Sequence, residues 1–111
     1  MIDKVDVLWT VQDRYGNEVY LTHERWEHII EPINHPEMID YAHHLQETIR
    51  RGKRKQDPLN PQKYRYAMQF DGLSVDNTDI IAIVLFRYKV GKMGDPIRNN
   101  YIVTAYQKEI W

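Results

Sequence analysis

Hydrophobic and polar positions alternate at both ends of this chain and follow a helical period in between. Val5, Val7, Trp9 and Val11 alternate with Asp6, Leu8 and Thr10, and Tyr15-Gly16-Asn17 supplies turn residues before a second run from Glu18 to Leu21. That pattern predicts an opening β-hairpin. Thr22 then offers an N-cap hydroxyl, and Glu24 and Glu27 sit where the positive end of a helix dipole favours a carboxylate. Trp26, Ile29, Ile30 and Ile33 fall at the offsets of one helical face, which is expected to be core. Pro32 breaks the donor pattern, and Asn34-His35-Pro36-Glu37 restarts a helix with proline in its favoured first turn. Met38, Tyr41, Ala42, Leu45 and Ile49 form the second apolar stripe, and Gly52 is a natural stop.

Past Gly52 a basic run reads as loop, and then the period becomes that of strands. Tyr64, Tyr66, Met68 and Phe70 alternate with Arg65, Ala67 and Gln69, which describes a half-buried strand. Asp71-Gly72 and Asp76-Asn77 are turn pairs around a short strand from Leu73 to Val75. Ile80 to Phe86 is almost continuously apolar, as in a central strand covered on both faces. Gly91, Gly94 and Pro96 mark a mobile loop carrying Lys92 and Arg98, and Tyr101 to Tyr106 is the last strand. The expected architecture is a single α+β domain over residues 1–111. Its N-terminal hairpin and two helices pack on a C-terminal antiparallel sheet of three to four strands.

Composition narrows the chemistry. No apolar run approaches the roughly 18 residues of a membrane span, and the N-terminus, with Asp3, Lys4 and Asp6, lacks a signal-peptide core, so a cytoplasmic protein with no membrane partner is expected. The absence of cysteine excludes disulfides, thiolate catalysis and cysteine-ligated zinc. Phosphate-cradling glycine loops and nucleophile elbows are also missing from the sequence. The net charge of −1 hides a polarity. Residues 1–49 carry ten acidic and three basic side chains, net −7, and residues 50–111 carry twelve basic and six acidic, net +6. Arg50, Arg51, Lys53, Arg54 and Lys55 are five cations within six positions. A sheet that presents such cations on one face attracts phosphates; the competing reading is an acidic helical layer beside a basic sheet, with a solvated basic loop.

Two segments carry candidate acid/base chemistry: Thr22-His23-Glu24-Arg25-Trp26-Glu27-His28-Ile29 with the nearby His35-Pro36-Glu37, and the terminal Ile102-Val103-Thr104-Ala105-Tyr106. A helix opening on Thr-x-Glu-Arg-x-x-His-Ile, a His-Pro-Glu, a second helix, an antiparallel sheet and a closing Ile-Val-Thr-Ala-Tyr strand resemble the small nuclease superfamily of barnase, EndoU, colicin E5 and D, and RelE, in its phage and bacterial toxin branch. The matching order covers about residues 19–106. The resemblance implies metal-independent RNA cleavage by attack of the ribose 2′-hydroxyl on the adjacent phosphate, with no cofactor. RNA is then the expected partner, and an antitoxin or immunity protein a further one.

Such a reaction needs a base, an acid and donors for the phosphorane oxygens, and histidine suits the proton transfers because imidazole titrates near neutrality. The resemblance places the helix histidine at His28, the strand hydroxyl at Thr104 and the terminal aromatic at Tyr106. Arg65, Arg87 and Lys92 are candidates for the phosphate-binding cation, with Arg87 favoured for its exit from the central strand. Arg54, Lys55, Arg65, Lys92 and Arg98 are the expected substrate-binding cations. Glu24, Glu27 or Glu37 could serve as the base, and no spacing selects among them.

His28 lies about 200° around a helix from Trp26, so it points away from the core stripe, into a cleft or only into water. Thr104 and Tyr106 share a strand face, which is either the site or the face under the helices. Tyr64 and Tyr66 either stack unpaired bases or belong to the core. Two other functional classes fit the same residues. One is a non-catalytic module that binds nucleic acid or protein, and the other is a metal site built on His28, His35 and a glutamate, for which no H-E-x-x-H spacing is present.

Overall fold

The computed structural model describes residues 6–74 and 76–110. Six strands form one sheet: β1 (Val7–Gln12), β2 (Glu18–Thr22), β3 (Lys53–Asp57), β4 (Asn60–Gln69), β5 (Asp79–Val90) and β6 (Pro96–Lys108). Between β2 and β3 run α1 (His23–Ile29), a 3-10 helix (Pro36–Tyr41) and α2 (Ala42–Arg51). The sheet order is β1-β2-β6-β5-β4-β3. Every pairing is antiparallel except that of β2 with β6, which run parallel at Tyr20 and Tyr101.

The α+β architecture expected from the sequence is therefore present, with a larger and mixed sheet in place of three to four antiparallel strands. Three strands join the sheet beyond those expected in it. The opening hairpin joins the sheet edge instead of standing beside it. The basic run is no loop: Arg50 and Arg51 end α2, and Lys53–Asp57 is the edge strand β3. Gly52 makes this abrupt passage possible. A Cβ there would lie 2.3 Å from the Thr48 carbonyl oxygen and 2.8 Å from that of Ala67, so only glycine lets helix and strand meet without a connecting loop. Charged residues suit an edge strand, because they discourage pairing with another chain. The Asp57 carboxylate then accepts from the amides of Leu59 (2.7 Å) and Asn60 (3.2 Å), an Asx turn that returns the chain into β4.

Other boundaries move for equally local reasons. The Thr22 hydroxyl accepts from the Arg25 amide at 3.0 Å, the expected N-cap. However, α1 closes at Ile29, so Ile33 lies beyond its stripe and is 88% exposed. The segment starting at Pro36 winds first as a 3-10 helix and becomes α-helical only at Ala42. Leu73 and Ser74 form no strand: Leu73 lies in irregular chain between bends at Gly72 and Ser74, with the Ser74 amide donating to the Gln107 side chain at 2.9 Å; Val75 lies outside the described residues. The expected glycine-rich loop shrinks to a turn over 91–95, closed by the Gly91 amide on the Asp95 carbonyl at 2.7 Å, and Arg98 belongs to β6.

The core lies under the helices. Ile29 of α1, Met38 of the 3-10 helix and Leu45 and Ile49 of α2 are buried with Val19, Leu21, Tyr66, Ile80, Ala82, Val84, Ile102 and Ala105 of the sheet. All three helical segments cover one sheet face. Among the described residues no helix is long and apolar enough to cross a membrane.

Candidate functional site

Because side chains alternate along a strand and directly opposed residues share a face, the pairing register assigns each position to the covered or the open side. On β5 the buried core residues Ile80, Ala82 and Val84 face the helices, so Ile81, Ile83, Leu85, Arg87 and Lys89 face the other way. Register then assembles the open face across the sheet. Lys55 of β3 opposes Arg65 of β4, Arg65 opposes Ile83 of β5, and Ile83 opposes Thr104 of β6. These four residues form one row. A flanking row runs Lys53, Ala67, Ile81, Tyr106, and on the other side Lys63, Leu85 and Tyr101 continue to Tyr20.

Arg65 and Thr104 are therefore two strand spacings apart, about 10 Å between backbones, a gap that an arginine side chain and a phosphate can fill. Beside them lies a hollow of about 460 Å³ whose lining includes Lys55, Asp57, Pro58, Lys63, Arg65 and Ile83. Lys63 approaches the Asp57 carboxylate at 3.7 Å, whereas Lys55 and Arg65 have no carboxylate partner among the described residues. Their charge remains available to an anion. Ile83 and Leu85 give the face a partly apolar floor.

The strand of the closing motif carries a bulge. The register slips between Ile83 and Val84, leaving Val103 unopposed between Thr104 and Ile102 and keeping Thr104 and Tyr106 outward while Ile102 and Ala105 stay in the core. Beyond Tyr101 the edge of β6 has no strand beside it among the described residues; α1 and the 3-10 helix lie against this strand. The chain curls back after α1, with the His35 amide donating to the Ile29 carbonyl at 2.8 Å. That turn brings the His35 ring to 5.4 Å from the ring of Tyr106. The Glu37 carboxylate stands 3.9 Å from His35 Nδ1.

The sequence-predicted residues thus divide. Thr104, Tyr106, Arg65 and Lys55 come together on the open face. Arg87 shares that face but opposes Asn99, about 13 Å along β5 from the Thr104 row, so Arg65 replaces it as the nearest arginine. His28 is exposed on α1, its Nδ1 at 3.5 Å from Glu31, in a hollow lined by Glu24, Arg25, Glu27 and Glu31. Glu24 and Arg25 also border the hollow of Tyr20 and Tyr101, so His28 is adjacent to the face without joining the row. Lys92 is exposed in the β5–β6 turn.

Arg54 and Arg98 point to the opposite side of the sheet. Arg54 opposes Tyr66, and its guanidinium lies 4.4 Å from the centre of the Tyr64 ring and 4.5 Å from that of Tyr15. It faces the buried Asp13 carboxylate at 3.9 Å. Asp13 also accepts from the Tyr15 and Asn17 amides and from the Tyr66 hydroxyl. Burial, and then the nearby Asp13, push the Tyr66 phenol pKa up, so it remains a donor. Tyr64 and Tyr66 are accordingly part of the covered side. Arg98 opposes Tyr88 and donates to the Asn17 side chain at 3.3 Å.

Sequence reasoning passed over Tyr20, and it named His35 among the acid/base and metal-ligand candidates without giving it a place. Tyr20 faces outward between the buried Val19 and Leu21, and its hydroxyl donates to Asn99 at 2.6 Å; burial raises its pKa. Its place was implicit in the β2 alternation but depended on the hairpin joining the sheet. The position of His35 follows from a tertiary turn and has no periodic signal. Among the described residues no three His, Asp or Glu side chains gather as a metal-ligand set. No protein family, curated protein or solved structure matches the chain.

Proposed function

We propose that the open sheet face is a ribonuclease site that cleaves RNA by transphosphorylation without a metal ion. One observation carries the reading: the row Lys55, Arg65, Ile83, Thr104 sets two cations, without carboxylate partners among the described residues, opposite the hydroxyl of the closing strand. Arg65 and Lys55 hold the scissile phosphate and stabilise charge that grows on its oxygens. Thr104 orients it. His35, beside Tyr106, takes the proton of the ribose 2′-hydroxyl as that oxygen attacks phosphorus. The bond from phosphorus to the 5′ oxygen breaks on the opposite side, that oxygen takes a proton from water, and the imidazolium returns its own proton to solvent. The products are a 2′,3′-cyclic phosphate and a 5′-hydroxyl.

This assignment gives the proton transfer to His35 rather than His28, on the ground of proximity to the row. Incubating the protein with total and transfer RNA in chelator, beside His35→Ala and His28→Ala, tests both the activity and the assignment. Defined fragments are expected from the wild type and from His28→Ala, with His35→Ala reduced at least about 10²-fold. The opposite pattern would return the role to α1. Intact RNA with a retained gel shift would make the face a binding surface without catalysis.

A further inference from the structure

The outward residues of β6 form a sequence of their own: Tyr101, Thr104 and Tyr106, opposed in turn by Leu85, Ile83 and Ile81 of β5. Each step along β5 is two residues, about 6.6 Å, so the two tyrosines flank the Thr104 row and stand about 13 Å apart. Each ring has an aromatic neighbour. Tyr101 lies 6.0 Å from Tyr20 at 42°, and Tyr106 lies 5.4 Å from His35 at 31°. Tyr20 is itself held by its hydroxyl on Asn99. The tyrosines are half-buried, each with one aromatic neighbour.

We infer that Tyr101 and Tyr106 are base-stacking stations on either side of the scissile phosphate, and that the substrate class is single-stranded RNA with its bases splayed apart. The inference rests on the ribonuclease reading for the place of the phosphate, and its stacking geometry is independent of cleavage. Neighbouring bases in a helical strand are about 3.4 Å apart, far short of the spacing of these two positions along the sheet. A duplex keeps its bases stacked and paired, leaving no ring free to lie on Tyr101 or Tyr106. An unpaired strand loses little by opening one step, and each base recovers contact on a phenol ring. The cations of the neighbouring strands then follow the backbone, with Lys63 in the row of Tyr101 and Lys53 in the row of Tyr106.

The test uses a short fluorescein-labelled RNA in three forms: unmodified single strand, the same strand 2′-O-methylated so that it cannot be cut, and its perfect duplex. The 2′-O-methyl single strand is expected to bind at least about tenfold more tightly than the duplex. Tyr101→Leu should weaken that binding about tenfold, and Tyr101→Phe should bind like the wild type, since the ring and not the hydroxyl is at work. Equal affinity for duplex and single strand, or an unchanged Tyr101→Leu, overturns the inference, and cleavage of the unmodified strand would still uphold the ribonuclease. The expected binding pattern without any cleavage upholds the stations and overturns the ribonuclease. Failure to bind either form overturns both.

Discussion

Arg54 and Arg65 sit on neighbouring strands, one register step apart, and face opposite sides of the same sheet. On the covered side Arg54 is enclosed by Tyr15, Tyr64 and Phe86 and faces Asp13, so its charge and its planar surface are both engaged. On the open side Arg65 has an apolar neighbour in Ile83 and no carboxylate partner among the described residues. The first arrangement fastens the β1–β2 turn to β3 and β4. The second leaves a cation poised beside a hydroxyl strand. Two arginines of like exposure in the sequence pattern therefore do different work, and the difference lies in what their neighbours require of them.

The comparison is broken most directly by removing one member from each side. Arg65→Ala is expected to lower RNA cleavage by about 10²–10³-fold and leave the thermal unfolding midpoint in place. Asp13→Ala should do the reverse. It strands the Tyr66 hydroxyl and the hairpin amides and leaves Arg54 without its counter-charge, costing about 3 kcal/mol in urea unfolding. Cleavage per folded molecule should be unchanged. Loss of catalysis in folded Asp13→Ala, or loss of stability in Arg65→Ala, would mean that the two faces are not separable.

A smaller effect sharpens the division among the lysines and arginines. Lys55 lies in the row of Arg65 and Thr104, and Arg98 on the far side, opposite Tyr88. Lys55→Ala should reduce the dependence of log affinity on log salt by about one unit, and Arg98→Ala should leave that slope unaltered. Equal slopes for the two variants would spread RNA binding over the whole basic half of the molecule and remove the open face as its address.

Much of this division is written in the sequence, and the unread part has physical causes. The Thr22 cap, the Gly52 stop and the apolar stripe of the second helix depend on local rules, and each is found where those rules put it. Thr104 and Tyr106 share a face because the strand period is two. Which face that is depends on the helices, which carry no local mark of the side they will cover. The basic run misled because five cations in six positions favour solvent, yet alternation lets Lys53 and Lys55 face outward while Arg54 turns in onto aromatic rings. His35 reaches Tyr106 only through the fold-back of the chain after Ile29.

Alkaline pH gives the smallest expected effect, and on the covered side it acts through Tyr66. The Tyr66 phenol is buried and donates to Asp13, so burial first and the carboxylate second hold its pKa above the ordinary value of about 10, with Arg54 pulling weakly the other way. Below that pH both the native and the unfolded chain keep the proton, and the contribution to stability is complete. Above it the unfolded chain releases the proton while the native chain retains it. The native state then binds more protons, and stability falls with rising pH through the range in which native Tyr66 is still protonated. Tyr66→Phe removes this difference at its source. Urea unfolding of the two proteins from neutral pH to above the phenol range should give a shallower alkaline decline for Tyr66→Phe, on top of its lower stability at neutral pH. Parallel declines would place the alkaline loss in other groups and would mean that the Asp13 cluster does not discriminate between the two phenol states.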